Sequence, residues 1–64
     1  MELTIELIEG KTIALEERHL AIEEMERIVD WFENETTAVI KYNNNSTNTT
    51  NYISRNGIIM IVQK

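Results

Sequence analysis

The chain has 64 residues, enough for one domain at most and for burying only about 60% of the surface its unfolded form exposes. It has no cysteine and one histidine, which excludes disulfides and thiolate metal sites as the staples of a small fold and leaves self-association or an unusually well-packed monomer. Its net charge of −5 is split: all eleven acids lie in the first 35 positions against Lys11, Arg18 and Arg27, whereas Lys41, Arg55 and Lys64 follow unopposed, an asymmetry that bears on partner choice rather than on chemistry.

Residues 2–8 alternate, with Leu3, Ile5 and Leu7 on one side and Glu2, Thr4 and Glu6 on the other, the pattern of a half-buried strand. Glu9-Gly10-Lys11 supplies a turn, and residues 11–15 return as a second strand that sets Ile13 opposite Leu7 and Leu15 opposite Ile5. A helix starting at Thr12 is the competing reading, and no capping box separates the two. Residues 16–34 are helical in pattern: Ala21, Ile22, Met25, Ile28, Val29 and Phe32 recur at three- and four-residue steps and form one apolar stripe. Glu16 and Glu17 suit its N-terminus, and Asn34 its end.

Residues 36–42 are β-rich, and the polar run over residues 43–51 reads as a mobile loop. Asn56-Gly57 lies between apolar runs. It therefore predicts a two-residue hairpin pairing Arg55 with Ile58 and Ile53 with Met60, because both central residues of a type I′ turn need positive φ. The order is ββαβββ. The expected fold is a single α+β domain over residues 1–64, one small antiparallel sheet with one amphipathic helix on one face.

Two surfaces are left over by that fold. The last strand is apolar on both faces, with Ile58, Met60 and Val62 on one and Ile59 and Ile61 on the other, and one helix covers only one face of a sheet. Two such side chains left wet forfeit roughly 3–6 kcal/mol of burial. On the helix, Leu20, Glu24, Arg27 and Trp31 share a flank well off the stripe; tryptophan and arginine are enriched at binding hot spots, and Arg27 lies within cation–π reach of Trp31. The expected partner or self-interface is therefore Leu20, Glu24, Arg27, Trp31, Ile59 and Ile61.

Catalytic chemistry is not legible. Gly10-Lys11-Thr12 resembles the end of a phosphate-binding loop, but Ile5 stands where that motif needs glycine. His19 near Glu16 and Glu23 reads as a solvated group on an acidic helix, and Ser46 and Ser54 have no histidine partner at a legible spacing. No cofactor, metal site or enzyme activity is expected. The tripeptides at 34–36, 44–46, 45–47 and 48–50 match glycosylation sequons, which carry little weight because residues 1–10 lack the basic and apolar regions of a signal peptide. No run approaches the roughly 20 apolar residues of a membrane span. The richness in Ile, Asn, Lys, Glu and Thr suggests an AT-rich coding sequence, as in a low-GC bacterium or its phages.

The expected function is non-enzymatic: a self-associating cytoplasmic protein (host cytoplasm if phage-encoded), a phage or mobile-element accessory or structural part acting by protein–protein interaction. A homo-oligomer is expected, a dimer first, with a further protein partner as an option and no nucleic acid or membrane. Net −5 opposes phosphate binding. The alternative is an acidic inhibitor in which Glu16, Glu23, Glu26, Asp30 and Glu33, one or two helical turns apart, imitate nucleic-acid charge and block a nucleic-acid-binding protein.

Overall fold

The first strand, β1 (Leu3–Leu7), is hydrogen-bonded on both sides. The second, β2 (Thr12–Leu15), runs antiparallel to it with Leu3 opposite Leu15 and Ile5 opposite Ile13. The last, β5 (Ile58–Gln63), runs antiparallel along its other side with Ile5 opposite Ile61. These three form one sheet, ordered β2-β1-β5. A second antiparallel sheet is the hairpin of β3 (Val39–Asn44) and β4 (Thr49–Ser54). One helix, α1 (Ile22–Asn34), lies between β2 and β3 in the chain. This computed structural model describes residues 1–34 and 37–64, so the strand start expected at Thr36 and most of the sequon at 34–36 fall outside the described residues. The fold is α+β in the expected order, but its strands divide between two sheets.

Alternation explains the core. Leu3 and Ile5 of β1 and Leu15 of β2 point the same way and are fully buried. Met25, Ile28 and Trp31 of α1 meet them, and Ile40, Tyr42 and Ile53 close the cluster from the hairpin. Among the described residues no charged side chain is buried, so the core is held chiefly by apolar packing. Burial raises the Tyr42 phenol above its ordinary 10.0. Neutral Tyr42 therefore favours the folded state, and that contribution fades as pH rises above 10.

The register of the first hairpin differs from the expected one by two residues. The loop is Ile8-Glu9-Gly10 rather than Glu9-Gly10-Lys11: Leu7 N–H bonds the Lys11 carbonyl at 2.9 Å, and Gly10 N–H bonds that of Leu7 at 3.0 Å. Gly10 has φ +90°, and placing that residue sets the loop. A slip of two keeps every side chain on its face, so Ile13 and Leu15 still face inward.

The Asn-Gly hairpin is a larger correction. Arg55–Gly57 is a turn of 3-10 helix, and neither Asn56 nor Gly57 has the positive φ that a type I′ turn requires. The chain does not double back on β4. It crosses to the other sheet, where β5 pairs with β1. The hairpin turn with positive φ is instead at Asn48, inside the run expected to be a mobile loop. That run is mostly strand. Thr50 Oγ1 donates to Asn43 Oδ1 across the ladder at 2.9 Å, and the Asn44 carboxamide accepts the Ser46 N–H at 2.9 Å. Threonine favours strands, and an asparagine side chain can close a turn on its own backbone.

The helix also starts later than the pattern suggests. Residues 16–20 form a turn in which the Glu16 carbonyl accepts His19 N–H at 2.8 Å. A helix through this segment would need the His19 carbonyl, but that group accepts the Asn45 N–H at 2.6 Å, from the tip of the second hairpin. The first helical bond is instead Met25 N–H to the Ala21 carbonyl, at 3.1 Å.

The two glycines give a direct test. A methyl group at either position meets nothing within 4 Å, so backbone conformation alone decides the outcome. Gly10→Ala is expected to lower stability by about 1 kcal/mol or more in urea unfolding. Gly57→Ala is expected to change it by less than about 0.5 kcal/mol; a type I′ turn at Asn56-Gly57 would make it the costly one.

Candidate functional site

Of the four residues expected to form a partner-binding helix flank, two are internal, and Leu20 precedes the helix. Leu20 is 1% exposed and Trp31 4% exposed, so both belong to the core of the protomer. Trp31 can sit there because its indole N–H is satisfied by the Thr37 carbonyl at 2.9 Å and hydroxyl at 3.0 Å. The buried line is Met25, Ile28, Trp31; Val29 and Phe32 are half-buried and Ile22 is exposed. Relative to the expected stripe the helix is turned toward Trp31. Met25, Ile28 and Trp31 join one buried cluster with Leu3 and Ile5 of the first sheet and with Ile40, Tyr42 and Ile53 of the second, so the helix meets both sheets.

Glu24 and Arg27 stay at the surface, bound to each other and to β3. Arg27 Nη2 reaches Glu24 Oε1 at 2.8 Å, its Nε reaches Oε2 at 3.2 Å, and Nη2 also donates to the Lys41 carbonyl at 2.6 Å. Arg27 thus ties the helix to β3 rather than lying over Trp31. The cation–π contact among the described residues is Arg55 over Phe32, 4.5 Å from the ring centre, with Arg55 Nε also donating to the Phe32 carbonyl at 3.3 Å.

The acidic row changes membership. Glu16 lies in the turn before α1, and its N–H donates to His19 Nδ1 at 2.8 Å. Glu23, Glu26, Asp30 and Glu33 remain exposed along one side of the helix, and no ion pair engages them among the described residues. No group of three or more His, Cys, Asp or Glu among the described residues could hold a metal ion. No helix there is long and apolar enough to cross a membrane.

Apolar surface is left over at Ile8 and Tyr52, which are 68% exposed and line one cleft, at Val39 and Ile22, and, as three residues on a single strand, on β5. The register of β5 against β1 shifts between Glu6 and Leu7, so that Glu6 meets Met60 while Leu7 meets Ile58, and Ile59 is the extra residue of a β-bulge. The bulge breaks the expected alternation. Ile58 is buried and Ile61 is half-buried against the core; Ile59, Met60 and Val62 are 62%, 47% and 38% exposed. Of the two expected interface isoleucines, Ile59 is outside and the Ile61 side chain faces inward. Met60 and Val62 share a face by simple alternation; that Ile59 rather than Ile58 joins them at the surface could be found in the sequence only by knowing of the bulge.

The same strand is a sheet edge. Glu2 and Lys64 exchange both main-chain hydrogen bonds at 3.0 Å, so Lys64, Val62 and Met60 turn their N–H and C=O groups toward β1. Ile61 and Gln63 turn theirs away. The edge carries no charge from Ile58 to Gln63, whereas strand edges are commonly protected by lysine or proline. No family model, curated protein or solved structure matches this chain.

The Glu24–Arg27 pair has a measurable signature. The hydrogen bond from Arg27 holds the Glu24 carboxyl below its ordinary 4.5, outweighing the opposing effect of partial burial. A depressed carboxylate contributes stability above its unfolded value and loses it as pH falls through the folded one. Both side chains are nearly half exposed, so the contribution is expected to be under about 1 kcal/mol. In urea unfolding, Glu24→Gln should lose that amount at neutral pH and converge with the parent chain as pH falls below the lowered value of the folded carboxyl.

Proposed function

We propose that this protein is a non-enzymatic interaction module that works as a self-associated species, most simply a dimer. The observation that carries the reading is the exposure of Ile59, Met60 and Val62 together on one strand at a sheet edge. Scattered apolar residues on a surface are ordinary; three within four positions, on a strand that also presents unpaired main-chain groups, are not. Association would return that area to an apolar environment, at roughly 25 cal/mol per Å². The same property would suit an accessory or structural part of a larger assembly, such as a phage or mobile element encodes, because such parts act by surface contact.

A second reading keeps one observation in its favour. Glu23, Glu26, Asp30 and Glu33 form an exposed acidic row along a single helix, suited to occupying a basic nucleic-acid site on another protein. It ranks lower because solvated acidic helix faces are common and because Glu16 has left the row.

Salt separates the two. Each copy carries −5, so added salt screens repulsion between copies and should hold or tighten a dimer. Binding through the acidic row should weaken in salt and disappear when the four acids become amides. In sedimentation at micromolar concentration the chain is expected to run as a dimer. Met60→Lys should weaken that dimer by at least about ten-fold while leaving the circular dichroism spectrum unchanged. A strict monomer at every concentration and salt would remove the first reading.

A further inference from the structure

We infer that two copies join β5 to β5 antiparallel across a two-fold axis at Val62, making one continuous sheet ordered β2-β1-β5-β5-β1-β2. This rests on the self-association reading above and specifies its geometry. The main chain supplies the first argument. Ile61 and Gln63 are the β5 residues whose N–H and C=O groups the β1 ladder turns outward. In an antiparallel pair centred on Val62, Ile61 lies opposite the partner's Gln63 and Gln63 opposite the partner's Ile61. Each of those pairs exchanges both of its hydrogen bonds, so an identical strand satisfies the whole set. The bulge at Ile59 disturbs the edge upstream and confines regular pairing to residues 60–64.

Charge supplies the second argument. Even-numbered residues of β1 and β5 share the outer face: Thr4 stands opposite Val62 and Glu6 opposite Met60, while Glu2 is bonded to Lys64. Centring on Val62 brings Val62 against the partner's Val62, with Thr4 on either side. The flanking row then reads Glu6, Met60, the partner's Lys64, the partner's Glu2. Each lysine falls in a row between carboxylates of the two copies, with the apolar pair at the centre. Centring on Ile61 would move Lys64 opposite Ile58 and lose this match. The free edge of β2 is a poorer candidate: it is two residues shorter, and only Ile13 and Leu15, both directed inward, are large apolar residues there.

The axis residue makes the inference testable. Val62 would form a non-hydrogen-bonded pair with its own copy, with Cα atoms about 4.5 Å apart. That lies within the roughly 4.4–6.8 Å a disulfide spans. The chain contains no cysteine, so Val62→Cys gives a single thiol, and Ile8→Cys, exposed on the first hairpin loop, serves as the control. Under mild oxidation the Val62→Cys chain is expected to form covalent dimers at least about ten-fold faster than the control, as an aligned thiol pair should. Amide exchange on the unmodified chain gives a reading free of substitution: Ile61 and Gln63 amides should gain about ten-fold protection as concentration rises, while the Val62 amide, already bonded to β1, should not. A dimer in sedimentation whose Val62→Cys form cross-links no faster than the control, and whose Ile61 and Gln63 amides stay unprotected, overturns edge pairing and leaves self-association standing. A monomer throughout overturns both.

Discussion

Pairing of β1 on both sides is the constraint from which the rest of the molecule follows. Its odd-numbered residues bond β2 and its even-numbered residues bond β5. Because side chains alternate with the same period, Leu3 and Ile5 share one face, and on that face the helix and the second hairpin gather. A central strand must have two neighbours, and each neighbour of a three-stranded sheet is an edge. The apolar surface of β5 is thus a consequence of where β5 was recruited. It serves β1 with one row of main-chain groups and leaves the other row open.

Much of this was legible in the chain because it rests on periodicity. Alternation over residues 2–8 located β1, and the recurrence through Met25, Ile28 and Phe32 located the helix. What the pattern missed depended on distant partners. Asn56-Gly57 carries a strong local hairpin signal, but pairing with β1 claims β5, and a 3-10 turn makes the crossing. The helix start was obscured because the His19 carbonyl is taken by Asn45, far along the chain. Trp31 lies off the stripe that a single sheet would select, and only contact with a second sheet, with Thr37 to satisfy its indole, draws it inside.

The candidate site shows the same division. That the last strand is apolar on both faces could be read directly from Ile58 to Val62. Which side chains emerge could not, because one extra residue at Ile59 reverses the alternation partway along the strand. Ile61 illustrates the difference. Its side chain faces the core, while its main chain lies on the open edge, and residue type alone reports only on the former.

The union of the first and last strands also governs how the chain reaches its native state. Ile5 must wait for Ile61, and Glu2 for Lys64, so these contacts close a loop of nearly the whole described chain. Closure of long loops is entropically opposed, and folds dominated by distant pairings form slowly. The β1–β2 hairpin is local in the chain, but one row of β1 has no strand partner until β5, at the far end of the described residues, is brought to it. The second hairpin, by contrast, joins strands close in sequence. Among the strand pairings of the described residues, that of β1 with β5 thus carries the largest loop-closure cost.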